Sequence, residues 1–159
     1  MKGLQATVTH VARLAATPPV RIPQALEAVH AGFPSVAQDY FIADFSFDEN
    51  IIVHPDTTFA VRVAGTSMQG AGIYDGDILL VDRSLTAHDG DVIVAVVDAE
   101  MTVKRLCAPK GQRPYLHPEN AEYPNIVLGD ETDFLVWGVV IGSYHFQRTP
   151  DSSTPPWEE

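Results

Sequence analysis

From Tyr40 onward the chain alternates short apolar runs with clusters of turn-forming residues. Ile51–Val53, Thr58–Val63, Asp77–Val81, Asp91–Val97, Glu100–Leu106, Asn125–Leu128 and Phe134–Ile141 are rich in β-branched or aromatic residues and bounded by Gly, Pro, Asp or Asn. That texture predicts strands. Asp75-Gly76 and Asp89-Gly90 mark tight turns, because glycine supplies the positive φ such turns demand. Several short strands at this spacing predict a mostly β domain, a barrel or sandwich. The leading residues differ. Thr17-Pro18-Pro19 and Pro23 interrupt any long helix. A short helical turn is expected over Gln24–His30, opened by Pro23, with Ala25, Leu26 and Val29 on one side. Such a segment is too short and too broken for the three-helix unit of a helix-turn-helix DNA reader, so it reads as an extended arm. Pro150–Glu159, with three prolines and three acids, reads as a flexible acidic tail.

Composition narrows the class of function. The 159 residues fit one domain, and 10 Lys+Arg against 21 Asp+Glu give a net charge of -11. Direct gripping of nucleic acid needs a basic face, and so does binding to an anionic membrane; neither is expected here. The charge is uneven. Residues 1–31 carry Lys2, Arg13 and Arg21 against Glu27, whereas the rest of the chain carries 7 basic and 20 acidic groups. A mildly basic leader is drawn toward an acidic body, within the limits set by salt; chance charge placement in a flexible terminus is the alternative. Apolar runs such as Val92–Val97 are far shorter than the ~20 residues of a spanning helix. His10 and Arg13 interrupt the leading apolar stretch, against a secretory signal. Cys107 is the single cysteine, which excludes an internal disulfide and a cysteine metal cluster. A cytoplasmic protein without a cofactor is expected.

Two segments bear candidate chemistry. Gly65-Thr66-Ser67-Met68 follows a predicted strand and precedes Gly70 and Gly72. A serine just past a strand end is rigidly mounted, and the adjacent glycine lets backbone N–H groups face a developing oxyanion. Gln69 in the fifth position separates this from the Gly-x-Ser-x-Gly elbow of α/β-hydrolases. Met101–Leu106 is the predicted return arm of a hairpin turning at Asp98–Glu100. Alternation puts Thr102, Lys104 and Leu106 on one face and Met101, Val103 and Arg105 on the other. If the first face is buried, the Lys104 ammonium loses water and its pKa falls, giving an amine able to take a serine proton. A lysine whose stem lies on the sheet with its charge in water is the alternative. His10, His30, His54, His88, His117 and His145 are scattered, lack metal-ligand spacing, and show no recognisable carboxylate partner. The acids Asp75/Asp77 and Asp89/Asp91 read as turn residues, since no calcium-loop pattern surrounds them.

These segments resemble the LexA/UmuD family of Ser-Lys self-cleaving proteins, peptidase family S24. The resemblance is carried, in order, by Ala31-Gly32-Phe33-Pro34-Ser35, His54-Pro55, Gly65-Thr66-Ser67-Met68, Gly72-Ile73-Tyr74-Asp75-Gly76-Asp77, Gly90–Ala95, Thr102-Val103-Lys104-Arg105-Leu106 and Gly138-Val139-Val140-Ile141. The separations of Gly32 from Ser67 and of Ser67 from Lys104 resemble those of the UmuD-type members, whereas Ala-Gly in place of Cys-Gly looks like the repressors. The resemblance implies a β-barrel of the LexA/signal-peptidase type with an extended N-terminal arm: residues 1–31 a cleavable arm, 32–148 the peptidase-like domain, 149–159 the tail. It implies Ser67 as nucleophile, Lys104 as general base, backbone N–H groups of Thr66 and Ser67 as oxyanion donors, and Ala31–Gly32 as the bond cut. It further implies a homodimer whose cleavage is stimulated by a RecA–single-stranded-DNA filament, and whose product serves a UmuC-like Y-family polymerase. A repressor-like regulator without its own DNA reader, and a non-catalytic binding module, are the alternatives. Small Ala31-Gly32 backbone suits close approach to a nucleophile, and Phe33 before Pro34 is held extended.

Overall fold

The computed structural model describes residues 5–14, 22–25 and 41–148. Among the described residues, ten strands and one short α-helix follow in chain order: β1 (Thr7–Arg13), β2 (Ile22–Ala25), β3 (Phe41–Phe45), α1 (Phe47–Asn50), β4 (Thr58–Ala64), β5 (Ile78–Asp82), β6 (Val92–Val97), β7 (Glu100–Cys107), β8 (Tyr115–His117), β9 (Ile126–Val127) and β10 (Phe134–Tyr144). The chain divides into two units, one made of residues 1–14 and 56–159, the other of residues 15–55.

In the larger unit the strands pair in the order β1-β4-β5-β10-β6-β7, and a β1–β7 pairing closes the ring into an antiparallel barrel. β8 and β9 extend the sheet outward from β7. The expected mostly β barrel is therefore the fold. Its core follows from alternation: Val61 and Val63 on β4, Leu79 and Val81 on β5, Val94 on β6 and Val103 on β7 form one buried cluster with Met68 and Ile73. Ile93 and Ala95, the alternate residues of β6, join a second cluster with Leu106, Leu116, Leu128 and Val139. β6 is thus covered on both faces, which explains why Val92–Val97 is uninterrupted apolar sequence.

The β6–β7 hairpin turns through Asp98 and Ala99, both at positive φ (47° and 67°), with Val97 opposite Glu100. Two left-handed residues in a two-residue loop match the twist of the flanking strands. Asp133 clamps this turn, its carbonyl accepting from the Asp98 N–H and its own N–H donating to the Asp98 carboxylate. The acids read as turn residues behave so: Asp77 accepts from the Tyr74 N–H, Asp91 from the His88 N–H, and Asp89 from the Ala108 N–H.

Three expectations change. Thr7–Arg13, placed in the arm by sequence, is a barrel strand; its partners on β4, from Ala64 to Phe59, lie about fifty positions away. In the smaller unit, Ile22–Ala25 pairs antiparallel with Phe41–Phe45, so the start of the expected Gln24–His30 turn is strand; residues 26–30 lie outside those described. Ile51–Val53 is not a strand. Ser46 caps the turn Phe47–Asn50 by accepting from the Glu49 N–H, and Ile51 ends it. Ser46-Phe47-Asp48-Glu49 is the capping-box pattern, and it overrides the β-branched run behind it. The tail from residue 149 and the Ala31–Gly32 bond also lie outside the described residues.

Candidate active site

β4 ends at Ala64, and the next residue, Gly65, has φ 103°, a conformation that a side chain would strain. The Gly65 N–H is fixed by the Asp75 carboxylate at 2.8 Å. The chain then turns through Thr66, Ser67 and Met68 into a single 3-10 turn, Gln69–Ala71. Its position is set from outside by the stretch after β8. Glu119 accepts from the Gly70 N–H at 2.8 Å, and a Cβ at Gly70 would lie 2.7 Å from that same carbonyl oxygen. Asn120 Nδ2 donates to the Thr66 carbonyl at 2.9 Å, and the Thr66 hydroxyl meets the Tyr123 hydroxyl at 2.8 Å. Arg105 Nε holds the Glu119 carboxylate at 2.5 Å. Because a trans peptide points its N–H opposite its C=O, anchoring the Thr66 carbonyl also fixes the direction of the Ser67 N–H.

Lys104 approaches from β7. It and Ser67 are both fully buried (0 %), and Lys104 Nζ lies 3.2 Å from Ser67 Oγ. The amine also donates to Thr102 Oγ1 at 2.9 Å and to the Val103 carbonyl at 3.0 Å. All three partners are uncharged. Burial with no counter-ion among the described residues penalises the ammonium, and the Lys104 pKa is pushed down to about 8. At pH 7 roughly one molecule in ten then carries a neutral amine. A buried neutral amine within hydrogen-bond distance of a hydroxyl can take its proton, and the resulting alkoxide is a nucleophile.

The structure brings Ser67 and Lys104 together and sets Thr66 beside them; Ala31 and Gly32 lie outside the described residues. Histidine has no part in this contact: His117 Nδ1 meets Asn125 Oδ1 at 2.7 Å, and His88 sits by Asp91. His145 corrects the expectation that no histidine has a carboxylate partner, since its Nδ1 bonds the buried Asp77 carboxylate. Among the described residues no cluster of His, Cys, Asp or Glu is built to hold a metal. Sequence reasoning left four residues of the site without a role. Thr102, two positions before Lys104 on its face, was visible in the alternation, whereas Asn120 and Tyr123 sit in irregular chain with no periodic signal. The fourth is Ala6, whose N–H donates to Ser67 Oγ at 2.7 Å.

The closed antiparallel barrel brings a buried serine and a buried lysine into contact. The Peptidase S24-like family matches residues 23–141, and the chain belongs to it, as a UmuD-like member. It is 42% identical over 123 residues to the protein MucA of Salmonella typhimurium and of Escherichia coli, covering 77% of this chain and 83% of MucA. It is also 42% identical over 115 residues to the LexA repressor of Shewanella woodyi, covering 72% of this chain and 55% of the repressor. The chain thus spans about half the length of that repressor. No helix among the described residues is long and apolar enough to cross a membrane.

Proposed function

We propose that this protein is a self-cleaving serine peptidase of the SOS response, with Ser67 as nucleophile and Lys104 as general base. The observation that carries the reading is the 3.2 Å contact between Ser67 Oγ and an amine that burial pushes down to about 8. Neutral Lys104 takes the Ser67 proton as Oγ attacks the Ala31 carbonyl carbon. The oxyanion is met by the backbone N–H groups of Thr66 and Ser67. Lys104, now ammonium, gives its proton to the leaving Gly32 amine, and the ester left on Ser67 is hydrolysed by water activated the same way. Thr102 and the Val103 carbonyl fix Nζ, so the proton moves along one defined line. Since substrate and catalyst share a chain, or a dimer, weak intrinsic recognition of the scissile segment suffices.

On this reading residues 1–31 are released, and Gly32–Glu159 serves a UmuC-like polymerase as a cytoplasmic homodimer. A RecA–DNA filament acts by favouring the docked scissile segment. The similarity to MucA and to LexA supports this placement. Intact mass spectrometry tests it. Wild type incubated with activated RecA filament, or at about pH 9 alone, is expected to lose its first 31 residues. Ser67→Ala and Lys104→Ala should each slow the cut by roughly a thousandfold or more. Cutting that survives either substitution, or falls at another bond, overturns the assignment.

A further inference from the structure

The first strand reaches the nucleophile. Ala6 is buried (1 %) and donates its N–H to Ser67 Oγ at 2.7 Å. Its carbonyl accepts from the Val103 N–H and from Thr102 Oγ1, each at 3.2 Å. Thr7 pairs with Thr102 on β7, and the strand beyond it pairs with β4. Residues 5–7 therefore fill the gap between the strand that leads to Ser67 and the strand that carries Lys104. They make there the main-chain bonds that any extended peptide laid across the gap would make.

Their pose is unproductive. A hydroxyl attacks a carbonyl carbon from above the amide plane, but an N–H aimed at Oγ puts that oxygen near the plane. In a trans peptide the Gln5 carbonyl points the opposite way. The Ala6 carbonyl is held by β7 instead. Oγ also accepts from both Ala6 and Lys104, so both lone pairs of the hydroxyl are engaged. We propose that the gap between β4 and β7 is a binding site for an extended segment, and that residues 5–7 occupy it as a built-in inhibitor, in competition with the segment around Ala31–Gly32. The proposal rests on the roles given to Ser67 and Lys104 above. The site takes a small side chain at the nucleophile, which both Ala6 and Ala31 provide.

The occupant is held so that it can leave. Its hold on β7 is limited to the Thr7–Thr102 pair and the two bonds to the Ala6 carbonyl, its pairing with β4 is broken by an irregularity between Val8 and His10, and Gln5 Oε1 is buried with no partner among the described residues. An unmet buried acceptor weighs against the docked strand.

The test uses full-length Ala6→Trp, too bulky for its buried site, and Ala6→Pro, which removes the N–H. Self-cleavage is followed by intact mass at about pH 9, and amide exchange at Val103, whose N–H bonds Ala6, reports displacement while Ile93 reports an intact barrel. If the resident strand is docked about ten times in eleven, both variants should cut about tenfold faster. A synthetic peptide of residues 1–14 added to either should restore the slow rate. Exposure of Val103 with Ile93 still protected, but with no gain in rate, overturns the proposal. Should one variant fail to fold, the other decides. If no form, wild type included, cuts itself, the reading of Ser67 and Lys104 falls instead. Displacement of a labelled 1–14 peptide by a peptide of residues 27–37 on the Ala6→Trp chain then judges the shared site, and absence of displacement sinks it.

Discussion

β7 and β1 are neighbours at the nucleophile, yet they are held very differently. β7 pairs with β6 along Glu100–Arg105, is joined to it by a two-residue turn, and is flanked on its other edge by β8. Val103 and Lys104 are fully buried on its opposite faces. β1 is exposed at Thr7 and Val11, pairs with β4 from Thr7 to Arg13 but with β7 only at Thr7–Thr102, and is tied to nothing nearby in sequence. One wall of the site is a short-range hairpin in the core; the other is a long-range strand joined to β7 by a single pair. Local pairing with little loop entropy gives a rigid base, and distant pairing gives a wall that can be exchanged.

Breaking the rigid wall should have the largest effect. Lys104 has a folded pKa near 8 against 10.5, so below pH 8 the barrel holds a buried ammonium at a cost of up to about 3 kcal/mol. Between about pH 8 and 10.5 the unfolded chain binds the proton and the folded one does not, so wild-type stability rises with pH. Lys104→Met should be more stable than wild type at pH 7 by up to that amount and should show no such rise, as denaturant titration at both pH values would read. Next, Val103→Ala on β7 should cost about 2 kcal/mol, whereas Val8→Ala on β1, only partly buried against the same cluster, should cost less than about 1. Equal losses in thermal unfolding would erase the contrast. The rate should respond on the same scale. Cleavage should climb about tenfold from pH 7 to pH 9 and then level, following the neutral amine. A rate that falls across that interval removes lysine as the base. The smallest effect is expected at the hairpin tip. Ala99→Gly, relieving a left-handed alanine, should stabilise by up to about 1 kcal/mol without changing the rate.

The same contrast decides what could be read from sequence. The β6–β7 hairpin was legible because its signals are local: an apolar run, a turn, and a period-two face bearing Thr102, Lys104 and Leu106. Gly65-Thr66-Ser67 was legible because a glycine after a strand announces a backbone turn. β1 was not. Thr7–Arg13 holds only three apolar positions, Val8, Val11 and Ala12, and they carry no mark of a partner some fifty residues on. Asn120 and Tyr123 were illegible for a related reason, as they hold Thr66 from loop positions that no periodicity selects. At Ile51–Val53 the strand-like composition of three β-branched residues lost to the cap at Ser46, a signal also present in the sequence.

The ring of strands includes a stave, β1, that lies on the far side of Ala31–Gly32 from all the others. A nick at that bond would turn a one-chain vessel into a two-piece one, whose integrity depends on dilution and on the time needed for a 31-residue fragment to drift off. Its departure would bare a seam of unpaired backbone along β4 and the first half of β7, a template for whichever foreign strand arrives next.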